Sequence, residues 1–225
     1  MATRAELRAR ARERADMENS TFISDAELNI YLQQSWFELY DLLVASYEDY
    51  YTISTTSTLT SGNTIALPAD FYKLRGIDYQ LGGTEYINVR SYNFAERNLR
   101  AKNVQILDNG RRNLVYRLLA GSIVFLPEND ATGTYKIWYI PRCGTFVDDM
   151  TEVSNVLDFD EYIVVDAAIK MLVKEESDPS ALLLAKDALK KRVEAMASNR
   201  DAGEPQTVAD VRTSDSYNDL LFPRG

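Results

Sequence analysis

The sequence predicts an α+β fold in which a helical bundle carries an inserted antiparallel β-barrel or sandwich-like domain and ends in an extended C-terminal arm. Three observations support this class. Apolar residues recur at helical spacing in the first 50 and the last 70 or so residues, short alternating runs fill the middle, and periodicity is lost near the C-terminus. We therefore expect a helical bundle from residues 1–49 and 150–200, a β domain from 50–149 and an arm from 201–225.

The most regular stretch, residues 158–201, predicts two amphipathic helices folded back on each other. Asp178 and Pro179 supply an N-cap and a proline at the first helical position, so the break between the helices falls at Ser177-Asp178. The connection is short enough to require an antiparallel hairpin. The apolar positions at helical spacing are Ile163, Val164, Ala167, Ala168, Met171 and Leu172 in the first helix, and Leu182, Ala185, Leu189, Val193 and Met196 in the second.

Two helices are predicted at the N-terminus, each opened by a capping box. Thr3 with Glu6 begins a helix that runs to about Asp16, and Ser24 with Glu27 begins a longer one that runs to about Tyr47. The first helix has few apolar residues and must lean on other parts of the protein or on a neighbouring chain. The second has a broad apolar stripe that suits it to cover the C-terminal hairpin: Leu28, Tyr31, Leu32, Ser35, Trp36, Leu39, Leu42 and Leu43.

Residues 51–149 consist of short β-branched and aromatic runs separated by glycine, proline and asparagine. Gly82-Gly83 predicts a two-residue hairpin turn, and Ala120-Gly121 predicts a second hairpin. In the last run, which follows Gly133, alternate residues point to opposite faces, and both faces are at least partly apolar. Six to seven strands of this spacing predict a small antiparallel barrel or sandwich.

The C-terminal 25 residues are polar, yet they finish with an apolar cluster. A tail that stays disordered has no need of such a cluster, so two alternatives arise. The tail packs on its own domain, or it is an extended arm that docks on another chain and becomes ordered there, which is the alternative we favour. The apolar residues available as anchors are Val211, Tyr217, Leu220, Leu221 and Phe222.

The formal net charge of −9 argues against a sequence-independent grip on nucleic acid, since that affinity comes from Lys and Arg neutralising phosphates. The arginine-rich first helix is the local exception. Three interpretations of its basic face are open. It is a solvated surface paired with nearby acids, it contacts an acidic partner or a neighbouring subunit, or it contacts DNA. The charged N-terminus and the lack of an apolar run of about 20 residues predict an intracellular protein without a membrane span.

The sequence offers little for catalysis. It has no histidine and no phosphate-binding glycine loop, and its single cysteine, Cys143, cannot form an internal disulfide. Carboxylate clusters at 148–149, 158–161 and 175–176 are explained by helix N-termini and exposed turns. We therefore predict no catalytic residue, metal site or cofactor.

Several short strings resemble the head-to-tail adaptor proteins of tailed bacteriophages, also called connectors or head-completion proteins. These strings are Leu67 to Leu74 (LPADFYKL), Phe94 to Asn98, Trp138 to Pro141 (WYIP), Glu161 to Ala168 and Lys174 to Glu176. The resemblance covers about Leu7 to Asp210. It implies a non-enzymatic virion protein, assembled in the host cytoplasm, whose copies form a ring beneath the portal, typically twelve-fold, and extend the DNA channel towards the tail.

The resemblance also suggests roles for individual residues. The arm would bind the portal through the apolar anchors given above, and DNA would pass through an acidic lumen without specific binding. Head-to-tail ring contacts would use exposed basic residues of the helices, namely Arg4, Arg8, Arg12, Lys190 and Arg192. Loops at the tip of the β domain would face the next tail component: Gly82, Gly83, Asn129 and Asp130. The outer face of the last helix, with Lys186, Lys190, Lys191, Arg192 and Glu194, would be free to meet a neighbour.

Two other functions remain possible on the sequence. The β domain could be an oligonucleotide-binding barrel with helical flanks, which predicts salt-dependent binding of single strands. Alternatively, the carboxylate clusters could serve a tail-associated hydrolase, in which replacement of Asp148 or Asp160 by asparagine would abolish activity.

Overall fold

A computed structural model describes residues 2–102, 114–153 and 159–200. Helix α1 spans Arg4–Arg14 and begins with the predicted capping box: the Glu6 N–H donates to Thr3 Oγ1, and the Thr3 N–H donates to the Glu6 carboxylate. Helix α2 spans Asp25–Ser46. Its predicted capping box is only half formed, because Ser24 caps the Glu27 N–H while the Glu27 carboxylate accepts from Tyr31 and Lys174 instead.

The predicted C-terminal hairpin is formed by helices α4, Asp160–Lys174, and α5, Ser180–Ser198. Helix α5 begins one residue later than predicted. Pro179 is the cap residue rather than the first helical residue, and Asp178 accepts a hydrogen bond from the Ser180 N–H at 3.0 Å. The Asp178 carboxylate therefore stabilises the turn at Pro179, and Asp178 is not itself the N-cap residue of α5.

Helices α1, α2, α4 and α5 share one apolar core. In α5 the core-facing positions differ from the prediction at one place: Met196 is exposed, and Ala197 is buried in its stead. The reason is that Val193 and Ala197, four residues apart, lie on the same line of the helix, which faces α2 and α4.

In the described residues between α2 and α4 there are eight strands and one short α-helix. The helix, α3, spans Arg97–Lys102 and follows a 3₁₀ turn at Phe94–Glu96. The strands are β1 Ile53–Leu59, β2 Thr64–Ala66, β3 Phe71–Gly82, β4 Glu85–Asn88, β5 Arg90–Ser91, β6 Val115–Leu119, β7 Ser122–Leu126 and β8 Gly133–Pro141.

The strands form two open four-stranded sheets, ordered β1-β8-β3-β4 and β2-β7-β6-β5. Neither sheet closes into a barrel, so that part of the prediction is wrong. The β domain is also not wholly antiparallel, because β5 pairs parallel to β6, with Arg90 opposite Val115. Between these two strands the chain passes through α3, and such a crossover lets it re-enter the sheet in the same direction.

A shared apolar core joins the two sheets. Phe125 of β7 stacks on Tyr135 of β8 with ring centroids 4.1 Å apart. The predicted alternation in β8 is confirmed: Tyr135, Ile137 and Tyr139 face this core, whereas Ile140, also fully buried, packs with the helices. Strand β8 therefore contributes to both cores and ties them together.

The hairpin between β3 and β4 has its turn one residue later than predicted. Gly82 pairs with Glu85, so the two turn residues are Gly83 and Thr84, and only Gly83 has positive φ, at 55°. An irregularity in the ladder between Gln80 and Gly82 causes this shift, because it adds a residue to β3 before the turn. The hairpin of β6 and β7 forms as predicted, with Ala120 in the left-handed region at φ 49°.

Candidate assembly surfaces

The arginines of α1 are engaged within the chain. Arg4 and Arg8 both bind Asp149, at 2.8 and 3.1 Å, in the segment that follows β8. The hydrogen bonds from Arg8 and then Arg4 lower the pKa of Asp149, so this carboxylate stays ionised well into the acid range. Arg12 binds Asp25 and two backbone carbonyls, those of Ser20 and Ile23.

The remaining arginines of α1 bind helix α4. Arg10 contacts Asp160 and Glu161, and Arg14 contacts Glu161. Leu7 and Ala11 on the same helix are fully buried against the helical core. Of the two predicted sources of support for α1, the rest of its own chain supplies both the acids and the apolar cover. A contact of Arg4, Arg8 or Arg12 with another subunit stays a prediction.

The cations of helix α5 lie on two sides of the helix, one facing the other helices and one facing outward. Lys186, predicted on the outer face, instead contacts Asp166 at 2.6 Å and Glu38 at 3.0 Å, so that assignment is wrong. Lys190 and Arg192 are exposed, as the prediction of a contact surface requires. Lys190 lies 3.9 Å from Glu194, whereas Arg192 forms no ion pair within the part of the chain that the structure describes.

Asp166 is the centre of a polar cluster inside the helical layer. It is almost fully buried and accepts hydrogen bonds of 2.6 Å from each of Ser35, Lys170 and Lys186. Burial by itself would raise the pKa of Asp166, but these hydrogen bonds together outweigh burial and lower it. The cluster joins α2, α4 and α5, and sequence reasoning missed it because Asp166 occupies a core position of an otherwise apolar helix face.

The loops predicted to face the tail lie at one end of the first sheet. Gly82 ends β3 and Gly83 begins the turn after it. The register of β3 with β8 brings this end close to the start of β8, just after Asn129 and Asp130. The opposite end of the sheet lies on the helices, since Tyr40 of α2 donates to the Pro141 carbonyl. The two loops are therefore together at the tip distant from the helices.

A basic surface surrounds α3, and sequence reasoning did not identify it. Within the described residues it has five cations, Arg90, Arg97, Arg100, Lys102 and Arg117, and one carboxylate, Glu96, which is paired with Arg100. The guanidiniums of Arg97 and Arg117 lie over the ring of Phe94, at 4.7 and 5.5 Å from its centroid. The local excess of arginine in the sequence could have indicated this basic surface, but the overall charge of −9 does not reflect it.

The five anchor residues of the predicted arm lie outside the described residues. Helix α5 leads towards them from a defined point, because Arg200 donates to the Tyr50 carbonyl and lies over the Tyr50 ring at 4.0 Å. Tyr50 lies just before β1, so Arg200, the last described residue, lies where the helices meet the sheets.

Neither a membrane span nor a metal cluster is found in the described ranges. None of the helices there is both long and apolar enough to cross a bilayer, and no three Asp, Glu or Cys side chains converge as metal ligands. The acidic pair at 148–149 has a structural use instead: Asp149 binds α1, and Asp148 accepts from Thr151.

Comparison with protein families gives one finding that decides the class of protein. A family model described as SU10 adaptor protein matches residues 2–212. The chain belongs to the SU10 adaptor family. The resemblance to phage head-to-tail adaptors is thereby confirmed, and the match includes both the helices and the sheets. A search among curated proteins gives no match.

Family membership has coarse consequences for this adaptor. It implies a structural, non-enzymatic component of the phage virion that interacts with other head and tail proteins.

Two of the strings that carry the resemblance meet in this adaptor. Asp70, from the LPADFYKL string, accepts a hydrogen bond from the Tyr139 hydroxyl of the WYIP string at 3.0 Å, and its carbonyl accepts from the Arg142 N–H at 2.6 Å. Both contacts lie where β3 and β8 reach the helices. The strings therefore correspond to the junction between the helical and β parts of the adaptor.

Proposed function

We propose that this adaptor forms a ring between the phage portal and the tail, and that the ring extends the DNA channel at the head–tail junction. Twelve copies are the number that the resemblance implies. The observation that carries the proposal is the match to an adaptor family over nearly the whole chain. The two-ended layout supports it, because the helices are at one end and the exposed loops of the β domain at the other.

The proposed parts of the ring follow from this layout. The arm, with Val211, Tyr217, Leu220, Leu221 and Phe222, binds the portal. The distal loops, with Gly82, Gly83, Asn129 and Asp130, meet the next tail component. The acidic surface suits a channel for a polyanion, since like charge repels phosphate and lets DNA pass without being held.

Imaging tests the proposal directly. Negative-stain micrographs of the adaptor mixed with purified portal rings should show an added ring on one end of the portal. Portal rings that remain bare at saturating adaptor would contradict the proposed function.

Deletion of residues 201–225 should abolish attachment to the portal and leave the subunit folded. The reason is that the apolar anchors are lost, whereas both apolar cores are formed by residues that precede the deletion. A pull-down with portal rings measures attachment, and a thermal melt confirms folding. A matched control replaces Tyr217, Leu221 and Phe222 by serine at full length. Unchanged attachment of both variants would rule out this role for the arm.

A second candidate function, nucleic-acid binding, is favoured by the basic surface around α3. If it operates, a labelled oligonucleotide should bind at low salt, and the double variant Arg97→Glu, Arg100→Glu should lose that binding at least tenfold. Fluorescence anisotropy at several salt concentrations measures this, with Lys190→Glu, Arg192→Glu as the control for net charge. No binding of single or double strands at low salt would exclude the candidate.

A further inference from the structure

Two opposite edges of the helical layer have complementary surfaces that no contact within the described chain covers. We propose that neighbouring copies in the ring meet through these edges, with the outer face of α5 on one copy against the outer face of α1 on the next. The inference rests on the proposed ring and specifies which surfaces of the subunit close it.

The packing order of the helices defines the two edges. Helices α2 and α4 pack on each other, and both α1 and α5 pack on this pair. Helices α1 and α5 are not a packed pair themselves in the described structure, so they flank the α2–α4 pair on opposite sides. Opposite edges are what a head-to-tail contact requires, since each copy then presents one surface to the copy before it and the other to the copy after it.

The outer face of α5 is apolar and basic. Leu184 is a large apolar residue, yet it is 76% exposed. Ala188, four residues after Leu184, and Ala195, seven residues after Ala188, lie on the same side of the helix and are exposed too. Lys191 lies on the same side and is paired with Asp187 at 2.6 Å, whereas Arg192 beside it has no carboxylate partner in the described chain. A large exposed leucine between small residues suits close contact with another helix.

The outer face of α1 is small and acidic. All five arginines of this helix point to acids or carbonyls of their own chain, which leaves Glu6, Ala9 and Glu13 exposed on the other side. Glu13 forms no ion pair in the described chain. The helix that is most basic in sequence therefore presents carboxylates to its surroundings.

Apolar residues extend the α1 edge. Val147 and Met150, in the segment after β8, are 82% and 75% exposed. This segment is held against the start of α1, because the Ala5 N–H donates to the Asp149 carbonyl and Arg4 to the Asp149 carboxylate. The α1 edge thus has exposed apolar groups to meet Leu184.

The two edges complement each other in charge and in shape. Among the described residues Arg192 is an unpaired cation on one edge and Glu13 an unpaired anion on the other, and opposite charges across an interface fix the partner and its orientation. Ala9 and Ala188 lie at the centre of each exposed face and allow two helices to approach closely.

Chemical cross-linking tests the pairing. The double variant Ala9→Cys, Ala188→Cys is assembled on portal rings and treated with a short bis-maleimide. The native thiol does not interfere, because burial raises the pKa of Cys143 to about 12 and keeps it protonated at neutral pH. A denaturing gel should then show a ladder of covalent multimers, since every copy is linked to the next.

The single variants are the matched controls. Ala9→Cys alone and Ala188→Cys alone should give no cross-linked product, because a head-to-tail contact never brings a residue near its own copy. Dimers from Ala188→Cys alone would overturn the pairing in favour of a symmetric contact. Rings visible by microscopy without a ladder from the double variant would overturn the pairing and leave the proposed function standing. Absence of rings from the wild-type adaptor would refute both.

Charge exchange provides an independent measurement. Arg192→Glu and Glu13→Arg should each raise the adaptor concentration that half-fills the portal by about tenfold, and the double variant should recover most of that loss. Arg90→Glu, with the same charge change on the β domain, should have no effect. Equal loss from Arg90→Glu, or no recovery in the double variant, would contradict a direct contact between residues 13 and 192.

Discussion

Replacement of Gly133 by alanine is expected to lower the free energy of unfolding by roughly 2–4 kcal/mol. Gly133 begins β8 with φ 145°, a conformation that residues with a Cβ rarely adopt. A Cβ there would lie 2.5 Å from the ring of Tyr79. That ring is buried and packs edge-on against Tyr135, so it cannot move away without disturbing the core of the β domain.

Thermal melts of Gly133→Ala and of the control Gly62→Ala separate the two causes. Gly62 also has positive φ, at 72°, but a Cβ there meets no atom within 4 Å. The control should therefore show the backbone strain alone, about 1 kcal/mol. Equal melting temperatures for the two variants would mean that Tyr79 yields freely and that the steric part of the prediction is wrong.

Replacement of Asp166 by alanine is expected to destabilise the adaptor by about 3–5 kcal/mol, the typical result of removing one member of a buried ionic cluster. Two ammonium groups, Lys170 and Lys186, would lose their buried carboxylate and keep only the exposed Glu38. Ser35 would lose one of its two acceptors and keep the Tyr31 carbonyl. Chemical denaturation measures the change. The control Asp187→Ala removes an exposed carboxylate that pairs with Lys191 on the surface of α5, and it should cost less than about 1 kcal/mol.

The same cluster predicts how stability depends on pH. Because the pKa of Asp166 is lower in the folded protein, its contribution is present above the ordinary aspartate pKa and is lost as the pH falls through the lowered value. For Lys186, burial lowers the pKa, but hydrogen bonds to Asp166 and Glu38 outweigh burial and raise it. Its contribution is therefore present below the ordinary lysine pKa and fades in strong alkali. Wild-type stability should fall at both extremes, whereas Asp166→Ala should show a weaker dependence on the acid side.

Local features of the fold were predictable from the sequence. The Thr3–Glu6 capping box, the helical hairpin after residue 158, the hairpin at Ala120-Gly121 and the alternation along β8 all depend on residues a few positions apart. Errors at this level were shifts of one residue, at the Gly83 turn and at the start of α5, and the Ser24–Glu27 capping box, of which only half forms. The shifts arose because a ladder irregularity and an aspartate side chain rearranged the backbone locally.

The candidate surfaces were only partly predictable. Exposed Lys190 and Arg192 could be placed from helical periodicity, since that pattern distinguishes the two sides of α5. The basic surface around α3 was visible in the sequence as a local excess of arginine, but its position at the edge of the second sheet depends on the pairing of β5 with β6. The distal loops became neighbours only through the register of β3 with β8.

The sequence by itself determined the class of each element, the caps and turns, and the family, because these are set by short-range hydrogen bonds and by the periodicity of apolar residues. Only the tertiary structure decided which charges remain available to a neighbour. The acids that bind the α1 arginines come from Asp25, Asp149, Asp160 and Glu161, up to about 150 positions away, and local periodicity contains no information on such pairs. Long-range packing thus pairs every arginine of the most basic helix, and within the described chain the charges of α1 that are left without an ion pair are acidic.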